Sequence, residues 1–485
     1  MLKRFFPLWG AFGAFALACL LFSCSSPSPT VYVSTIDRAH LLEKVLPLES
    51  ASGDAFEINL DGGTVFQEID GFGAAVTGST CYNLQQMDPQ DRDAFLKMVF
   101  DPKEGAGYSC IRISIGCSDF SLFEYTLCDE PGIENFHLTE LETMDLIPVL
   151  HRILEINPSV KIIASPWTCP KWMKVDNLTD LNPLDSWTSG QLNPKYYADY
   201  ATYFVRFIQE MGKEGLDIYA MTIQNEPLNR GNSASLYMGW REQLTFVRDF
   251  LGPAFEKNGI QTKIWVYDHN YNYDNIPEEQ DYALNILNDP QARKYIAGSA
   301  WHNYGGRVSE LDHVYAAYPD MDIFFTECSI GKWSARTKEE CFEKDLMSNT
   351  RDVCIGTLSR GGRGVTVWNL LLDDEGAPNR PGGCRTCYGA LDISKSDYKT
   401  IVGNSHYYSI AHFSKVILPG ARRISSQAES MEKGISQVAC LNTDGSIGVV
   451  LLNETDEAKA VRLTGAKKPV CVQLPAKSVV SVLVP

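Results

Sequence analysis

Two glutamates stand where apolar runs of the chain end, a position from which a carboxyl group can do chemistry. Glu226 ends a run that begins at Ala220, and Glu327 ends a run that begins at Asp322. Runs rich in β-branched and aromatic residues over about five positions predict buried strands. Carboxylates at the carboxyl ends of such strands lie where a (β/α)8 barrel assembles its active site. Two of them on different strands meet the requirement for glycoside hydrolysis, the alternative being strand-end charges facing water.

The two glutamates are predicted to have different roles. Cleavage with retention needs a nucleophilic carboxylate and a second carboxyl that first donates and then takes back a proton. The acid must be held protonated near neutral pH by burial or by a nearby negative charge. We assign this role to Glu226, because the adjacent Asn225 can bond the sugar hydroxyl next to the reacting carbon. Glu327 is then the nucleophile.

Other polar residues follow the predicted strands. Arg112 lies in an otherwise apolar strand, where its charge is costly unless paired, so we expect it to bond Glu327 or an adjacent carboxylate. The alternative for Arg112 is a structural ion pair under the barrel mouth. Asp119 either bonds sugar hydroxyls or caps a loop. Asp268 follows the fifth strand and is a weaker candidate, with a plain loop role as its alternative.

Aromatic residues occupy three more strand ends. Trp167 follows the third strand and either stacks on a pyranose face or packs in the core. Trp368 follows the eighth strand, where an indole can form the floor of a sugar site. Tyr304 follows the sixth strand and is expected to orient the nucleophile. His302, two residues earlier, is a candidate for substrate binding, and the alternative is a buried histidine whose hydrogen bonds are satisfied.

Positioning these residues requires an alternation of strands and helices. Short apolar strands are predicted at residues 71–75, 110–115, 161–165, 219–224, 263–267, 296–301, 322–326 and 364–368. Helical patterns follow them at residues 89–100, 141–156, 194–211, 236–255, 282–287, 311–317, 337–358 and 401–413. This alternation predicts a parallel sheet, and eight repeats predict its closure into an α/β barrel, a (β/α)8 TIM barrel. An open doubly wound sheet is the alternative, but the stretch at residues 71–73 lacks the third glycine of a phosphate loop.

Both ends of the chain are predicted to contribute to a second module. Strands with alternating polarity are predicted at residues 31–35, 55–59 and 64–68, the last following a Gly-Gly turn, and at residues 437–441, 448–453, 460–463, 470–474 and 478–484. Five short C-terminal strands are too few for a stable sandwich, so the N-terminal strands are expected to join them. The predicted organisation is a linker and N-terminal strand at 24–54, a β-sandwich from 55–69 and 415–485, and a catalytic barrel at 70–414.

The first residues are typical of an exported protein. Lys3 and Arg4 precede an apolar run at residues 5–22, which predicts a secretory signal, although the run also reaches the lower limit for a membrane span. Cys24 and the Ser/Pro linker after it resemble the lipid-attachment site of a bacterial lipoprotein. We therefore predict a cleaved signal peptide at 1–23, acylation of Cys24 and an anchor at the outer membrane, facing the cell surface or the periplasm.

Composition excludes several classes of partner. The 485 residues suit a barrel plus one small module. The net charge of −17 argues against nucleic acid or anionic lipid as a partner, so membrane contact is expected only through the lipid anchor. Cys384 and Cys387 have CxxC spacing, but the sequence has no second such pair and no matching histidine pair. A zinc site is therefore not expected, and free loop thiols or one local disulfide are the alternatives.

Taken together, these motifs resemble glycoside hydrolase family 30, the group of the glucosylceramidases and endo-β-1,6-glucanases. The resemblance runs from about residue 55 to the C-terminus and lies in residues 70–74, 112–120, 165–172, 224–227, 302–304, 326–328, 367–370, 406–415 and 474–482. It implies a retaining mechanism, with Glu226 as acid/base, Glu327 as nucleophile and no metal or organic cofactor. By position it places around the glucosyl unit the residues Arg112, Asp119, Trp167, Asn225, Tyr304 and Trp368. Asn303 departs from the family, which often has an aromatic residue there on the aglycone side.

Three functions remain open at this point. The lipoprotein-like start and the stretch at residues 224–229 favour an enzyme that cuts β-glucan, with β-1,6 linkages as the expected substrate. A glucosylceramidase or exo-β-glucosidase would use the same sugar and the same anomer. A non-catalytic glycan-binding lipoprotein is disfavoured by the presence of both glutamates and Asn225. Exo or endo action depends on the loops at residues 176–190, 271–280 and 373–390.

Overall fold

The computed structural model describes residues 28–50, 55–271, 276–428 and 434–485. The predicted signal peptide and Cys24 lie outside these residues. None of the helices within them combines the length and apolar character that crossing a membrane requires.

Eight parallel strands form a closed barrel, as predicted. They are, in chain order, Gly71–Ala75, Cys110–Ser114, Lys161–Ser165, Ile218–Thr222, Lys263–Asn270, Gly298–His302, Asp322–Glu327 and Gly362–Val367. Each pairs with the next along the chain, and the eighth closes on the first through Gly364 and Gly71. Large rings fill the interior, where Trp265 stacks on Phe324 with their centroids 4.8 Å apart. The barrel is thus a packed core that presents all strand ends on one face.

Helices cover the outside of the barrel. The α-helices are Gly78–Gln86, Pro89–Phe100, Ile147–Ile156, Tyr197–Lys213, Trp240–Phe246, Gly252–Asn258, Tyr282–Leu287, Pro290–Arg293, Leu311–Ala317, Lys338–Ser348, Gly356–Ser359 and Ser405–Ser414. Three of them continue wider π-helical turns at Leu141–Leu146, Val247–Leu251 and Asn349–Ile355. The first helix was not predicted because its sequence is mostly polar; Thr77 caps it by accepting a hydrogen bond from the Thr80 N–H. The helix predicted from residue 401 begins only at Ser405, because Ile401–Gly403 forms a strand.

The fifth barrel strand is longer than predicted and contains a β-bulge. Its pairing with the sixth strand passes from Tyr267, opposite Ala300, to His269, opposite Trp301, and skips Asp268. Asp268 has a left-handed φ of 65°. The prediction that Asp268 comes after the strand is therefore wrong, and the bulge turns its side chain into the barrel.

Strands from both chain ends form the second module, as predicted. Its sheet contains nine strands, in spatial order Glu43–Val45, Thr30–Thr35, Ser478–Val484, Ile447–Asn453, Ile435–Leu441, Arg422–Ala428, Phe56–Glu68, Lys459–Thr464 and Val470–Leu474. The two strands predicted around Gly62 and Gly63 are a single strand, so the predicted turn is wrong. The register between this strand and its partner jumps from Asp61 to Val65, which makes the glycine pair part of a bulge.

Candidate active site

Glu226 and Glu327 lie on the same face of the barrel, at the carboxyl ends of the fourth and seventh strands. A carboxylate oxygen of each and a ring nitrogen of His302 all lie within 4.8 Å of one another. This closeness fits a retaining pair, for which the carboxyl groups are about 5–5.5 Å apart, and leaves no room for the extra water of an inverting mechanism.

The backbone at these strand ends is held in an uncommon conformation. Glu226, Asp268 and Asn369 have φ values of 45°, 65° and 60°, in the region that favours glycine. The Glu226 N–H donates to the Asp268 carbonyl at 2.9 Å, and the Asn225 N–H donates to the Pro166 carbonyl at 2.8 Å. Surrounding contacts therefore fix a strained backbone where it aims side chains into the site.

Arg112 joins the two sides of the site. Its guanidinium donates to Glu327, to Asn225 Oδ1 at 2.8 Å and to Asp268 Oδ2 at 2.8 Å. Burial by itself lowers the pKa of Arg112, but the charges of Asp268 and Glu327 outweigh it and raise the pKa above its ordinary value. Arg112 thus pairs with both carboxylates that the sequence left as alternatives. Asn225 Nδ2 is buried and has no hydrogen-bond partner among the described residues.

Asp268 is the centre of the hydrogen-bond network beneath the glutamates. Besides Arg112, its carboxylate contacts His302 Nε2 at 3.0 Å and accepts hydrogen bonds from three hydroxyls, those of Thr222, Ser165 and Thr326. Burial opposes its charge, but Arg112 and His302 outweigh burial and hold the pKa of Asp268 well below its usual range. Sequence reasoning underrated Asp268 because no sequence signal marked the bulge that turns it inward.

The two glutamates have different hydrogen-bond partners. Glu327 accepts from Arg112 and from the Tyr304 hydroxyl at 3.0 Å, which matches the orienting role expected of Tyr304. Glu226 accepts from Asn229 Nδ2 at 2.7 Å and lies 3.2 Å from His302 Nδ1. Asn229 was not predicted from the sequence as a partner of Glu226, although it lies only three residues after it. Asn229 belongs to the loop that follows the fourth barrel strand and also contains Glu226.

Both ring nitrogens of His302 contact carboxylates, Nδ1 that of Glu226 and Nε2 that of Asp268. Burial by itself lowers the pKa of His302, but the charges of Glu327 and Asp268 and the hydrogen bonds to Asp268 and Glu226 raise it to about 9. Burial raises the pKa of Glu226, but the hydrogen bond from His302 and the charges of His269 and His302 lower it to about 2. Burial and the charge of Glu226 keep the pKa of Glu327 above its ordinary value despite His302 and Arg112.

These shifts place the proton of the contact between His302 and Glu226 on His302 at neutral pH and leave Glu226 ionised. Transfer along this 3.2 Å contact makes Glu226 a neutral acid without changing the number of protons in the site. The transfer neutralises His302, whose charge lowers the pKa of Glu327, together with Glu226, whose charge raises it, so Arg112 and Tyr304 remain as the groups that hold Glu327 as a carboxylate. The arrangement can therefore supply one acid and one nucleophile together.

An open cleft of about 510 Å³ contains both glutamates. Its walls combine carboxyl, amide, hydroxyl and aromatic side chains with glycine and cysteine residues. Besides the two glutamates, the residues that line it are Asp119, Asn229, Asn232, His269, Asn270, Tyr304, Ser329, Trp333, Trp368, Gly382, Gly383, Cys384, Thr386 and Cys387. Trp368 lines this cleft, as expected of a floor. Trp167 does not line it; it is buried and stacks on Trp368 with centroids 4.9 Å apart, which is the core-packing alternative.

Asp119 lines the cleft next to a disulfide-closed loop. Cys384 and Cys387 form a disulfide, which decides between the two alternatives left by the sequence. The Arg380 N–H donates to the Asp119 carbonyl at 2.9 Å, and the Cys384 N–H donates to its carboxyl group. Burial and the charges of Glu327 and Glu226 raise the pKa of Asp119 to about 8. A protonated Asp119 can donate to, as well as accept from, a sugar hydroxyl.

His269 is a second cleft residue that sequence reasoning missed. It is buried beside Glu226, and burial lowers its pKa to about 4 despite the opposing charge of Glu226. At neutral pH His269 is therefore uncharged. Its place in the bulged strand next to Asp268 explains why only the structure reveals it.

Comparisons with known proteins identify relatives that match most of the chain. Residues 69–417 match the glycosyl hydrolase family 30 TIM-barrel domain, and residues 420–482 match the beta sandwich domain of the same family. The solved structure of the endo-β1,6-glucanase BT3312 is 51% identical, with a TM-score of 0.90 over 94% of this chain and 99% of that one. An endo-1,6-β-D-glucanase of Trichoderma harzianum is 32% identical over 80% of this chain and 78% of its own length. The lysosomal acid glucosylceramidase of Mus musculus is 30% identical over 81% of this chain and 76% of its own length.

Proposed function

Because the chain belongs to glycosyl hydrolase family 30 and is a retaining glycosidase, we propose that its substrate is a β-1,6-linked glucan. The observation that carries this proposal is the open cleft around Glu226 and Glu327, lined in part by amide and hydroxyl groups, in a chain that is 51% identical to an endo-β1,6-glucanase. The non-catalytic glycan-binding alternative is set aside, since it would leave the paired carboxylates without a use.

In the first step, Glu327 attacks the anomeric carbon and Glu226 protonates the departing oxygen. The proton comes from the hydrogen bond that Glu226 shares with His302, and Arg112 and Tyr304 hold Glu327 as the attacking carboxylate. The bond from Glu327 Oε to the sugar forms as the glycosidic bond breaks, giving a covalent glucosyl-enzyme. Asn225 Nδ2 donates to the neighbouring sugar hydroxyl, a contact that strengthens in the transition state.

In the second step, water replaces the leaving group. Glu226, now a carboxylate, takes a proton from this water, which attacks the anomeric carbon and releases Glu327. The imidazole of His302 accepts the proton again through Nδ1, and its Nε2 contact with Asp268 stabilises the resulting charge. The site thereby returns to its starting protonation state.

The side chains of the cleft favour a sugar over a lipid beyond the reacting glucose. Amide and hydroxyl side chains line the cleft at Asn229, Asn232, Asn270, Ser329 and Thr386. Sugar hydroxyls can pair with such groups, whereas a ceramide tail would need a continuous apolar surface to bury its methylene groups. The cleft chemistry therefore supports glucan more than glucosylceramide.

A product profile tests the proposal. Protein lacking residues 1–24 is incubated with pustulan, a β-1,6-glucan, and the products are separated by chromatography over time. We expect a ladder of gentio-oligosaccharides, and the Glu327→Gln variant as control should produce none. Glucose as the first and only product would replace endo with exo action. An intact polymer together with hydrolysis of glucosylceramide would overturn the proposal in favour of the glucosylceramidase.

We also propose that the enzyme is exported and anchored at the outer membrane through acylated Cys24. Support comes from Lys3, Arg4, the apolar run at residues 5–22 and the Ser/Pro linker. Metabolic labelling with a palmitate analogue should mark the wild type and not the Cys24→Ser variant. Equal labelling of both, or of neither, would contradict the anchor.

A further inference from the structure

Trp333 is an indole on the wall of the active-site cleft. Its side chain is 54% exposed, whereas every other tryptophan in the described ranges is buried or half-buried. It lines the same cleft as Glu226 and Glu327 and lies on the loop after the seventh strand, which carries Glu327. An indole this exposed buries little apolar area, so core packing does not account for it.

The contacts of Trp333 hold its ring in place before any ligand arrives. A Cβ atom added at Gly331 would come within 2.2 Å of the indole, so the ring lies directly against the Gly331 backbone. The strand Ile330–Gly331 pairs with Cys387–Tyr388, and the Lys332 N–H donates to the Thr386 carbonyl at 2.8 Å. The backbone under the ring is thus tied to the loop that contains Thr386 and Cys387. A fixed platform loses little conformational entropy on binding.

The surroundings of Trp333 indicate what would lie on it. Ser329, Thr386 and Asn270 line the same cleft and offer hydroxyl and amide groups. A flat apolar face bordered by hydrogen-bonding groups suits a pyranose ring, which has C–H groups on its face and hydroxyls at its edge. A lipid chain would match the ring but would form no hydrogen bonds with these hydroxyl and amide groups.

The reacting glucose already has its own contacts. Trp368 is a separate cleft residue, buried and stacked on Trp167, and it neighbours Arg112, whose guanidinium carbon lies 5.6 Å from its ring centroid. Trp333 belongs to another loop and to the exposed rim. We propose that Trp333 is the stacking platform of a second sugar subsite, which holds the glucose ring next to the reacting one. This proposal rests on the proposed function. It adds that the cleft binds at least two neighbouring glucose units of a glucan chain.

The test compares a substrate that fills both subsites with one that fills only the reacting subsite. Gentio-oligosaccharides fill both, and β-glucosyl fluoride fills the reacting one alone. In Trp333→Ala, kcat/KM on the oligosaccharides should fall about tenfold or more, as for truncation of an anchoring aromatic. Hydrolysis of the fluoride should be unchanged. Trp333→Tyr should retain most of the activity on oligosaccharides, since a ring remains.

One further variant keeps the test specific. Phe123→Ala removes an aromatic side chain that is 52% exposed and does not line the cleft, and it should change neither substrate.

The outcomes separate the subsite from the proposed function. If the wild type cleaves gentio-oligosaccharides and Trp333→Ala loses nothing, or loses both substrates equally, the subsite is wrong and the proposed function stands. If the wild type hydrolyses the fluoride but leaves gentio-oligosaccharides intact, the proposed function is wrong, and the subsite for a second glucose is overturned with it.

Discussion

His302 Nδ1 lies 3.2 Å from Glu226 Oε1, while the other ring nitrogen of His302 lies 3.0 Å from Asp268. The imidazole therefore connects the proposed acid to a buried carboxylate that stays ionised. The proton on this side of the ring rests on His302, whose pKa is about 9 against about 2 for Glu226, and its transfer decides whether Glu226 is an acid or a base. His302 acts through Glu226 and is a positioning residue.

His302→Gln should impair protonation of the leaving group. General acid catalysis contributes about 10²–10⁴-fold, so kcat/KM on gentio-oligosaccharides should fall by about 10²-fold. A dinitrophenyl β-glucoside, whose leaving group needs no proton, should be affected far less. A merely structural role for His302 would lower both rates together.

The pH profile gives a second measure of the same contact. The pKa of His302 is raised to about 9, so the site holds its proton below that pH and loses it as the pH rises through that value. The basic limb of kcat/KM should lie near pH 9 in the wild type and move to lower pH in His302→Gln. His313→Gln, at an exposed histidine, is the matched control and should leave the limb in place. If the basic limb does not move in His302→Gln, His302 does not supply the proton that Glu226 transfers.

The direction of azide rescue should distinguish the roles of the two glutamates. Glu327→Ala should lower turnover by several orders of magnitude, and azide should restore product as the α-glucosyl azide, because it enters through the space left by the nucleophile. Glu226→Ala, assayed with an activated aryl glucoside, should give the β-glucosyl azide, because Glu327 still forms the intermediate. Nuclear magnetic resonance of the products reads the anomer directly. The opposite pair of anomers would exchange the two roles.

Asp268→Asn should cost both stability and alkaline activity. Removing one partner from a buried ion pair costs about 3–5 kcal/mol, and Arg112 would retain only Glu327 as a charged partner. Since the charge of Asp268 also raises the pKa of His302, the basic limb should move to lower pH. Urea unfolding and the pH profile measure the two effects.

Asp322→Asn is the control for this experiment. Asp322 pairs with Lys263 and Arg363 at the start of the seventh strand, the opposite end from Glu327. The Asp322→Asn variant should have a lower free energy of unfolding than the wild type and an unchanged pH profile of kcat/KM. A profile that moves equally in both variants would show that the shift reports general loosening of the barrel.

The architecture of the barrel was predictable because its strands are short apolar runs that alternate with helical patterns. Periodicity also located the helix Pro89–Phe100 at its correct bounds. The bulges were not predictable, since a bulge depends on the partner strand. Gly62 and Gly63 were interpreted as a turn, but the adjacent strand Arg422–Ala428 continues past them.

The same limit applies to the site. Glu226, Glu327 and Arg112 were found because a charged residue in an apolar run is conspicuous. Asp268 was underrated and His269 was missed, because both lie in a strand whose bulge decides which side chain faces inward. Trp167 shows the converse: its position at a strand end suggested a sugar contact, but it packs beneath Trp368.

The disulfide between Cys384 and Cys387 should act on substrate binding more than on stability. The disulfide closes a short loop, so the stability it adds by restricting the unfolded chain is at most about 2 kcal/mol. The Cys384 N–H, in contrast, donates to the carboxyl group of Asp119, which lines the cleft. In Cys384→Ser/Cys387→Ser we expect KM for gentio-oligosaccharides to rise several-fold with a small change in kcat. Reduction of the wild type by a phosphine should reproduce this rise and should leave the double variant unchanged, since the other described cysteines are free thiols. An unaltered KM with a lowered melting temperature would assign the disulfide to folding stability instead, because the loop would then hold Asp119 without it.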